Sequence, residues 1–243
     1  MTVKILQWNV WYKEDADNIR KLVQDLNPDI FCAQEITTNS EINPKRDVPA
    51  EIAKAGGYQY FYQTCIKRDS LDMGNAIFSK FPITNKYTTY VQREDTENPG
   101  FERENRVYIE STLTINNTQL TVGTVHLSYI RQFQVNEQKK TEIDTLIHQI
   151  TTRSQNYILT GDMNAEPDTY LTSQLEKYLK NIAPPYDEPT WTTKPFSHDN
   201  FQASTLDWRL DHVFGTADIR VISAQIIKTD FSDHLPVLVT VEV

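Results

Sequence analysis

Three short clusters of acids, amides and imidazoles close apolar runs that lie far apart in the chain: Gly161-Asp162-Met163-Asn164, Asp211-His212 and Ser232-Asp233-His234. Apolar runs of that length read as buried strands. Polar groups where a strand gives way to a loop are where an α/β fold displays reacting side chains. Carboxylates, amides and imidazoles gathered together suit hydrolysis assisted by a hard metal ion. The chemistry they point to is cleavage of a phosphate ester.

Each cluster suggests a division of labour. Residues two apart in an extended segment face the same way, so Asp162 and Asn164 could hold a water and a phosphate oxygen. Asp162 would accept the water's proton and Asn164 would donate to the developing charge; an Asx turn after a strand is the plain alternative. His234 is assigned as the catalytic imidazole and Asp211 as the carboxylate that orients it. His212 would point to the opposite face as a structural residue, and Asp233 could bind metal or support the site. His126 ends the run Thr121 to Val125 and is the second histidine expected in the site, binding a phosphate oxygen or protonating the leaving group. His148, on a helix, and His198, in a long loop, have no such setting. Arg106 begins a strand and could clamp a phosphate; a surface ion pair is the alternative. Asn9 and Glu35 each end a strand, and an amide oxygen with a carboxylate suits Mg²⁺, which keeps several waters and needs few protein ligands.

The elements that must position these groups follow from periodicity. Val3 to Val10 is mostly apolar, as a buried strand should be. Asp15-Ala16-Asp17 precedes Ile19, Leu22, Val23 and Leu26, an amphipathic helix that Asn27-Pro28 stops. Asp29 to Gln34 is the next strand, so the opening is a parallel βαβ unit that brings Asn9 and Glu35 to one sheet edge. Ile36 to Arg46 reads as a loop and Pro49 to Ala55 as a short helix ended by Gly56-Gly57. Strands are predicted over 58–64, 75–79, 83–91, 106–115, 119–127, 157–160, 209–214, 219–227 and 235–243, and helices over 138–150 and 168–179. Gln92 to Asn105 reads as an exposed, mobile loop. Asn181 to Thr205, rich in Pro, Thr and aromatics, reads as a functional loop; its Trp191, Phe196 and Phe201 could stack on a base or fill a core edge.

The bulk properties set bounds. With 243 residues and 39% hydrophobic content the chain can bury a sizeable core, and one α/β domain spanning 1–243 is the simplest organisation. A net charge of −9 argues against tight non-specific nucleic-acid binding, which runs on Lys and Arg. The two cysteines, Cys32 and Cys65, do not make a disulfide framework, so reduced thiols and a cytoplasmic setting are expected; secretion stays open if a leader was removed. No apolar run is long enough to cross a bilayer. Oligomeric state is not readable.

In this order, Gln7-Trp8-Asn9-Val10, Gln34-Glu35, Gly74-Asn75-Ala76-Ile77-Phe78, Thr124-Val125-His126-Leu127, Gly161-Asp162-Met163-Asn164, Arg209-Leu210-Asp211-His212-Val213 and Ser232-Asp233-His234-Leu235-Pro236-Val237 resemble the endonuclease/exonuclease/phosphatase superfamily over nearly the whole chain. The resemblance implies a four-layer α/β sandwich of two packed mixed sheets flanked by helices, and Mg²⁺- or Mn²⁺-dependent cleavage of phosphate esters. It places Asn9 and Glu35 with the metal, Asp162 and Asn164 with water and phosphate, and Asp211 with His234 as the imidazole pair. Asn75 joins Arg106 as a candidate for binding substrate. His126 matches the second histidine of pancreatic-type deoxyribonucleases, sphingomyelinases and inositol-polyphosphate phosphatases. Apurinic-site endonucleases have a Tyr there, and an Asp where this chain has Trp11, which counts against abasic-site repair; a tyrosyl-DNA phosphodiesterase-like activity stays open. The leading expectation is phosphodiester hydrolysis by in-line attack of water activated by Asp162 or His234. The alternatives are a phosphomonoesterase or phospholipid-type phosphodiesterase, and a non-catalytic scaffold.

Overall fold

In the first strand, β1 (Thr2–Asn9), Val3 and Ile5 enter one core while Leu6 and Trp8 enter another. A strand that is apolar on both faces must be covered on both, and that requirement organises the whole chain. The computed structural model describes residues 1–198 and 200–243. After β1 come α1 (Ala16–Leu26), β2 (Ile30–Asn39), α2 (Val48–Gly56), β3 (Gln59–Arg68), β4 (Leu71–Ser79), β5 (Ile83–Gln92), β6 (Arg106–Ile115) and β7 (Thr118–His126). The second half adds α3 (Glu137–Ile150), β8 (Tyr157–Asp162), α4 (Tyr170–Leu175), β9 (Lys180–Asn181), β10 (Phe196–His198), β11 (Phe201–Ala203), β12 (Asp211–Gly215), β13 (Arg220–Ile226) and β14 (Val237–Glu242).

Two six-stranded sheets result, in the orders β13-β14-β1-β2-β4-β3 and β5-β6-β7-β8-β12-β9. Each is mixed: β1–β2 and β7–β8 are parallel, the remaining pairs antiparallel. Their inner faces share one core, in which Val3, Ile5, Ile30, Cys32 and Val239 meet Val107, Ile109, Val122, Ile158 and Val213. The outer face of the first sheet packs on α1 and α2 through Trp8, Phe31 and Phe78 against Ile19, Val23 and Ile52. That of the second packs on α3 and α4 through Val125, Leu159 and Phe214 against Ile143, Leu146 and Leu171. Helix, sheet, sheet, helix is the four-layer α/β sandwich expected.

Local signals explain the ends of the elements. Asp15 accepts the Asp17 N–H to cap α1, and Asn27 leaves it in the left-handed region (φ 46°) before Pro28. Three expectations are revised. Ile36 to Asn39 is not loop but the end of β2, because Ile36, Thr37 and Asn39 pair with Gly74, Met73 and Asp72 of β4. The predicted helix over 168–179 shortens to α4, since Asp168 sits at φ 60° and cannot join a right-handed helix. The stretch 181–205 carries the β10–β11 hairpin, and Trp191 bridges to both Trp208 and His234. Trp191 and Phe201 are buried and fill a core edge with Tyr129, Phe133 and Leu210, whereas Phe196 is only half-buried. Cys32 and Cys65 are unbridged. Among the described residues no helix is long and apolar enough to cross a membrane.

Candidate functional site

The rows of side chains facing the central core turn polar at one end. In β1, Val3 and Ile5 are followed on the same face by Gln7 and Asn9; in β8, Ile158 is followed by Thr160 and Asp162. Register brings these ends together. Asn9 stands opposite Gln34 in the parallel β1–β2 pair, His126 opposite Asp162 in β7–β8, and Asp211 opposite Asp162 in β12–β8. Gly161 permits the close approach of β8 to β7: a Cβ there would lie 2.3 Å from the Val125 carbonyl oxygen.

Glu35 breaks the pattern. It sits at φ 56° in a β-bulge between Ala33 and Ile36, and this re-aims a side chain that alternation would send to the helical face. Its Oε1 accepts from Asn9 Nδ2 at 3.2 Å and its Oε2 from the Tyr12 N–H at 3.2 Å.

Asp162 lies at the centre. Its Oδ1 accepts the Asn164 N–H (2.9 Å) and its Oδ2 accepts from Asn9 Nδ2 (2.9 Å). The same Oδ2 is 3.4 Å from His126 Nε2 and 3.5 Å from His234 Nε2. His234 Nδ1 donates to Asp211 Oδ2 at 2.8 Å, and Gln7 Nε2 reaches Asp211 Oδ1 at 3.3 Å. Both His234 nitrogens therefore face carboxylates. Although burial opposes the charge, Asp211, Asp162 and Asp233 together hold the imidazole well above its usual range. His126 goes the other way. Burial, with Arg106, His234 and Lys139 nearby, drives it well below the usual range, so the ring is neutral and its Nε2 accepts from Asn164 Nδ2 at 3.1 Å. The other Asn164 amide hydrogen goes to the Leu127 carbonyl (2.9 Å). Burial pushes Asp162 up to about 6 despite His234. Asp233 is likewise raised to about 6 by burial; its Oδ2 accepts from Trp191 Nε1 at 3.2 Å.

The remaining candidates divide. Arg106 is buried, not a surface residue: it lies 3.6 Å from Glu104 Oε2, and its Nε has no hydrogen-bond partner among the described residues. It lines a narrow crevice with Glu35, Asn75 and His126. Asn75 Nδ2 is committed to the Val107 carbonyl at 2.8 Å. His148 is exposed. His198 lines the wider cleft, of about 430 Å³, that opens beside Glu35 and Asp233 between Trp11, Phe101 and Phe196.

His212 does face the other way, stacked on Phe214 with Nε2 3.3 Å from the Ala165 carbonyl oxygen. Burial pulls it down from 6.5 to about 4. A depressed base binds its proton less well folded than unfolded, so stability is complete above about 6.5 and is lost as pH falls toward 4. The shift corresponds to about 3 kcal/mol. His212→Gln keeps a donor for Ala165 and has nothing to titrate. Urea melts at pH 7.5 and pH 4 should therefore show the wild type losing about 3 kcal/mol more than the variant; equal losses would refute the buried neutral imidazole.

Could these residues hold a divalent cation? Among the described residues no three His, Cys, Asp or Glu side chains form a ready-made cage. A hard cation such as Mg²⁺ does not need one, since it takes one or two carboxylates and keeps its waters. Glu35 and Asp162 share one amide group and are both raised by burial, a local excess of buried negative charge that a cation would relieve. The Asn9 oxygen already accepts the Trp11 N–H at 3.0 Å and offers its second lone pair. The donor set fits a hard cation.

Several contributors escape a reading by motif. Gln34 Nε2 donates to Gln7 Oε1 (3.0 Å) and Thr124 Oγ1 (2.8 Å), a buried amide network behind Asp211. Lys139 is fully buried beneath the Asn164 loop, donating to the Ser128 and Met163 carbonyls, and burial lowers it to about 8. A glutamine in step with the apolar alternation of β1 is the signal that finds Gln7; nothing in the helical pattern of α3 marks Lys139.

The family model of the Endonuclease/Exonuclease/phosphatase family matches residues 6–234. Comparison with curated proteins gives no match. Among solved structures, an endonuclease/exonuclease/phosphatase from Beutenbergia cavernae superposes with a TM-score of 0.78 at 19% identity, covering 99% of this chain and 71% of that one. The human Nocturnin catalytic domain with bound sulfate gives 0.71 at 18% identity, over 99% and 94%. A Bacteroides thetaiotaomicron mannosyl-6-phosphatase gives 0.68 at 17% identity, over 99% and 100%.

Proposed function

The chain belongs to the endonuclease/exonuclease/phosphatase family, and we propose that within it the chain is a divalent-cation-dependent hydrolase of a phosphodiester. The convergence of Asn9, His126 and His234 on one oxygen of Asp162 carries this reading. Asp162 would accept the proton of the attacking water. His234, with both N–H groups directed at carboxylates, has no lone pair free for that proton and would instead donate to the phosphate as charge grows there. Asp211 keeps the ring oriented and charged. Asn164, its amide hydrogens spent on His126 and Leu127, would fix the neutral His126 ring, not meet the phosphate itself. Arg106, with Asn75 beside it, would draw the phosphate toward the crevice. Mg²⁺ or Mn²⁺ held by Glu35 and Asn9, with Asp233 close by, would supply Lewis-acid stabilisation of the developing charge.

A small or lipid-derived ester, including a monoester, is the second reading. A net charge of −9 and a cleft of about 430 Å³ walled by Phe101 and Phe196 favour it over long duplex DNA. Parallel assays on plasmid DNA, bis(4-nitrophenyl) phosphate, sphingomyelin, inositol phosphates and sugar phosphates decide. The expected result is turnover of the aryl diester and of a small ester, with DNA at least about tenfold slower. Cleavage of plasmid DNA alone would reverse the ranking, and turnover of none would remove the enzyme reading.

A further inference from the structure

The cleft beside Glu35 and Asp233 carries two lysines on its wall, Lys13 and Lys194. Their ammonium groups lie 5.9 Å and 5.7 Å from the centroid of the Trp11 ring. Acidic side chains outnumber basic ones 33 to 24 in this chain, and a nearby cation such as Arg46 is taken up by Asp15, Asp17 and Glu51. Neither Lys13 nor Lys194 has a carboxylate partner among the described residues. Lys194 donates once, to the Asp230 carbonyl at 2.5 Å, and keeps two further N–H groups.

The backbone beside both lysines is tied to the candidate centre. Trp11 stands at φ 61°, a conformation disfavoured for a bulky residue, and its N–H is tied to Asn9 Oδ1. The next N–H, of Tyr12, is tied to Glu35 Oε2. In the segment before β10, Thr193 donates its N–H to the Asp233 carbonyl (3.0 Å) and its hydroxyl to the Ser232 carbonyl (2.5 Å), immediately before Lys194. The two segments that carry the lysines are thus hydrogen-bonded to Asn9, Glu35, Ser232 and Asp233, near the neighbouring ends of β1 and β14. The backbone that carries the lysines is therefore fixed relative to the groups that would handle the scissile phosphate.

We propose that Lys13 and Lys194, over Trp11, form a subsite for a second anionic group of the substrate, one step away from the phosphate that is cleaved. The substrate class is then a phosphate ester that carries a further phosphate or carboxylate on the part lying in the cleft. This rests on the phosphodiesterase reading and narrows it. A hydrated ammonium meets a phosphate as a point charge, so the second group needs proximity and charge but no fixed fork geometry.

The test uses a matched pair of substrates: the 4-nitrophenyl phosphodiester of propane-1,3-diol with its far end either a free hydroxyl or a phosphate. With Mg²⁺ present, wild-type kcat/KM should favour the phosphorylated ester by about tenfold or more. In Lys13→Gln/Lys194→Gln the preference should collapse to within about twofold, whereas Lys13→Arg/Lys194→Arg should retain it. A wild-type preference near one, or a preference that survives the glutamine pair, overturns the subsite. Hydrolysis of neither ester overturns the phosphodiesterase reading, and the subsite falls with it.

Discussion

Asp162→Asn should lower phosphodiester turnover by about 10³-fold or more while the protein still folds. The expectation comes from how crowded one oxygen is. Asp162 Oδ2 takes the Asn9 amide at 2.9 Å and lies within 3.5 Å of both His126 Nε2 and His234 Nε2. An amide in its place cannot take a proton from water, and it removes the negative charge that faces His234. The folding cost is small by comparison. Either orientation of the new amide sets its NH₂ against one existing N–H, of Asn9 or of Asn164, a loss of about 1–2 kcal/mol. Against that, burial already opposes the Asp162 charge, and a neutral side chain escapes the penalty. Turnover followed by 4-nitrophenolate release, with a urea melt on the same samples, separates the two effects. Activity within tenfold of wild type would remove Asp162 from the role of base.

His234→Ala should do more damage, because it harms stability as well as chemistry. The imidazole is the charged partner of Asp211, which is fully buried. Without it the Asp211 carboxylate keeps, among the described residues, only the Gln7 amide at 3.3 Å. Removing one member of a buried charged pair costs about 3–5 kcal/mol, and turnover should fall by about 10³-fold or more with the loss of the donor. His234→Gln distinguishes the two losses, since its amide can still donate to Asp211. It should recover about half or more of the stability and none of the rate. A glutamine variant that turned over at near wild-type speed would show that the imidazole itself is dispensable.

Most of the site was legible because alternation in a strand is strict. Once β1 is a strand, Val3, Ile5, Gln7 and Asn9 share a face, and the same logic separates Asp211, facing the inter-sheet core, from His212, facing α3 and α4. Parallel pairing of β1 with β2 then places Asn9 beside Gln34 without any knowledge of the loops. Glu35 was reached for a reason alternation does not contain. A bulge, and a backbone at φ 56°, are needed to turn it inward, and neither is written in the run Phe31 to Glu35. Arg106 was underread because Arg is so rarely buried; only the fold shows Glu104 beside it. The end of β2 was lost because Thr37, Thr38 and Asn39 look like a polar loop, although β4 supplies a partner for that segment. The long aromatic stretch was divided by the fold itself: Trp191 and Phe201 went to the core edge, and Phe196 stayed at the cleft.

The most direct test is a cation titration of metal-stripped protein, with bis(4-nitrophenyl) phosphate hydrolysis and calorimetric Mn²⁺ binding read on the same preparation, for wild type and Glu35→Gln. Wild type should bind Mn²⁺ saturably and gain activity in step with occupancy, and the variant should bind at least about tenfold more weakly. Hydrolysis at full rate in the stripped protein, or Mn²⁺ binding indifferent to Glu35, would contradict a cation-assisted centre built at the polar ends of these strands.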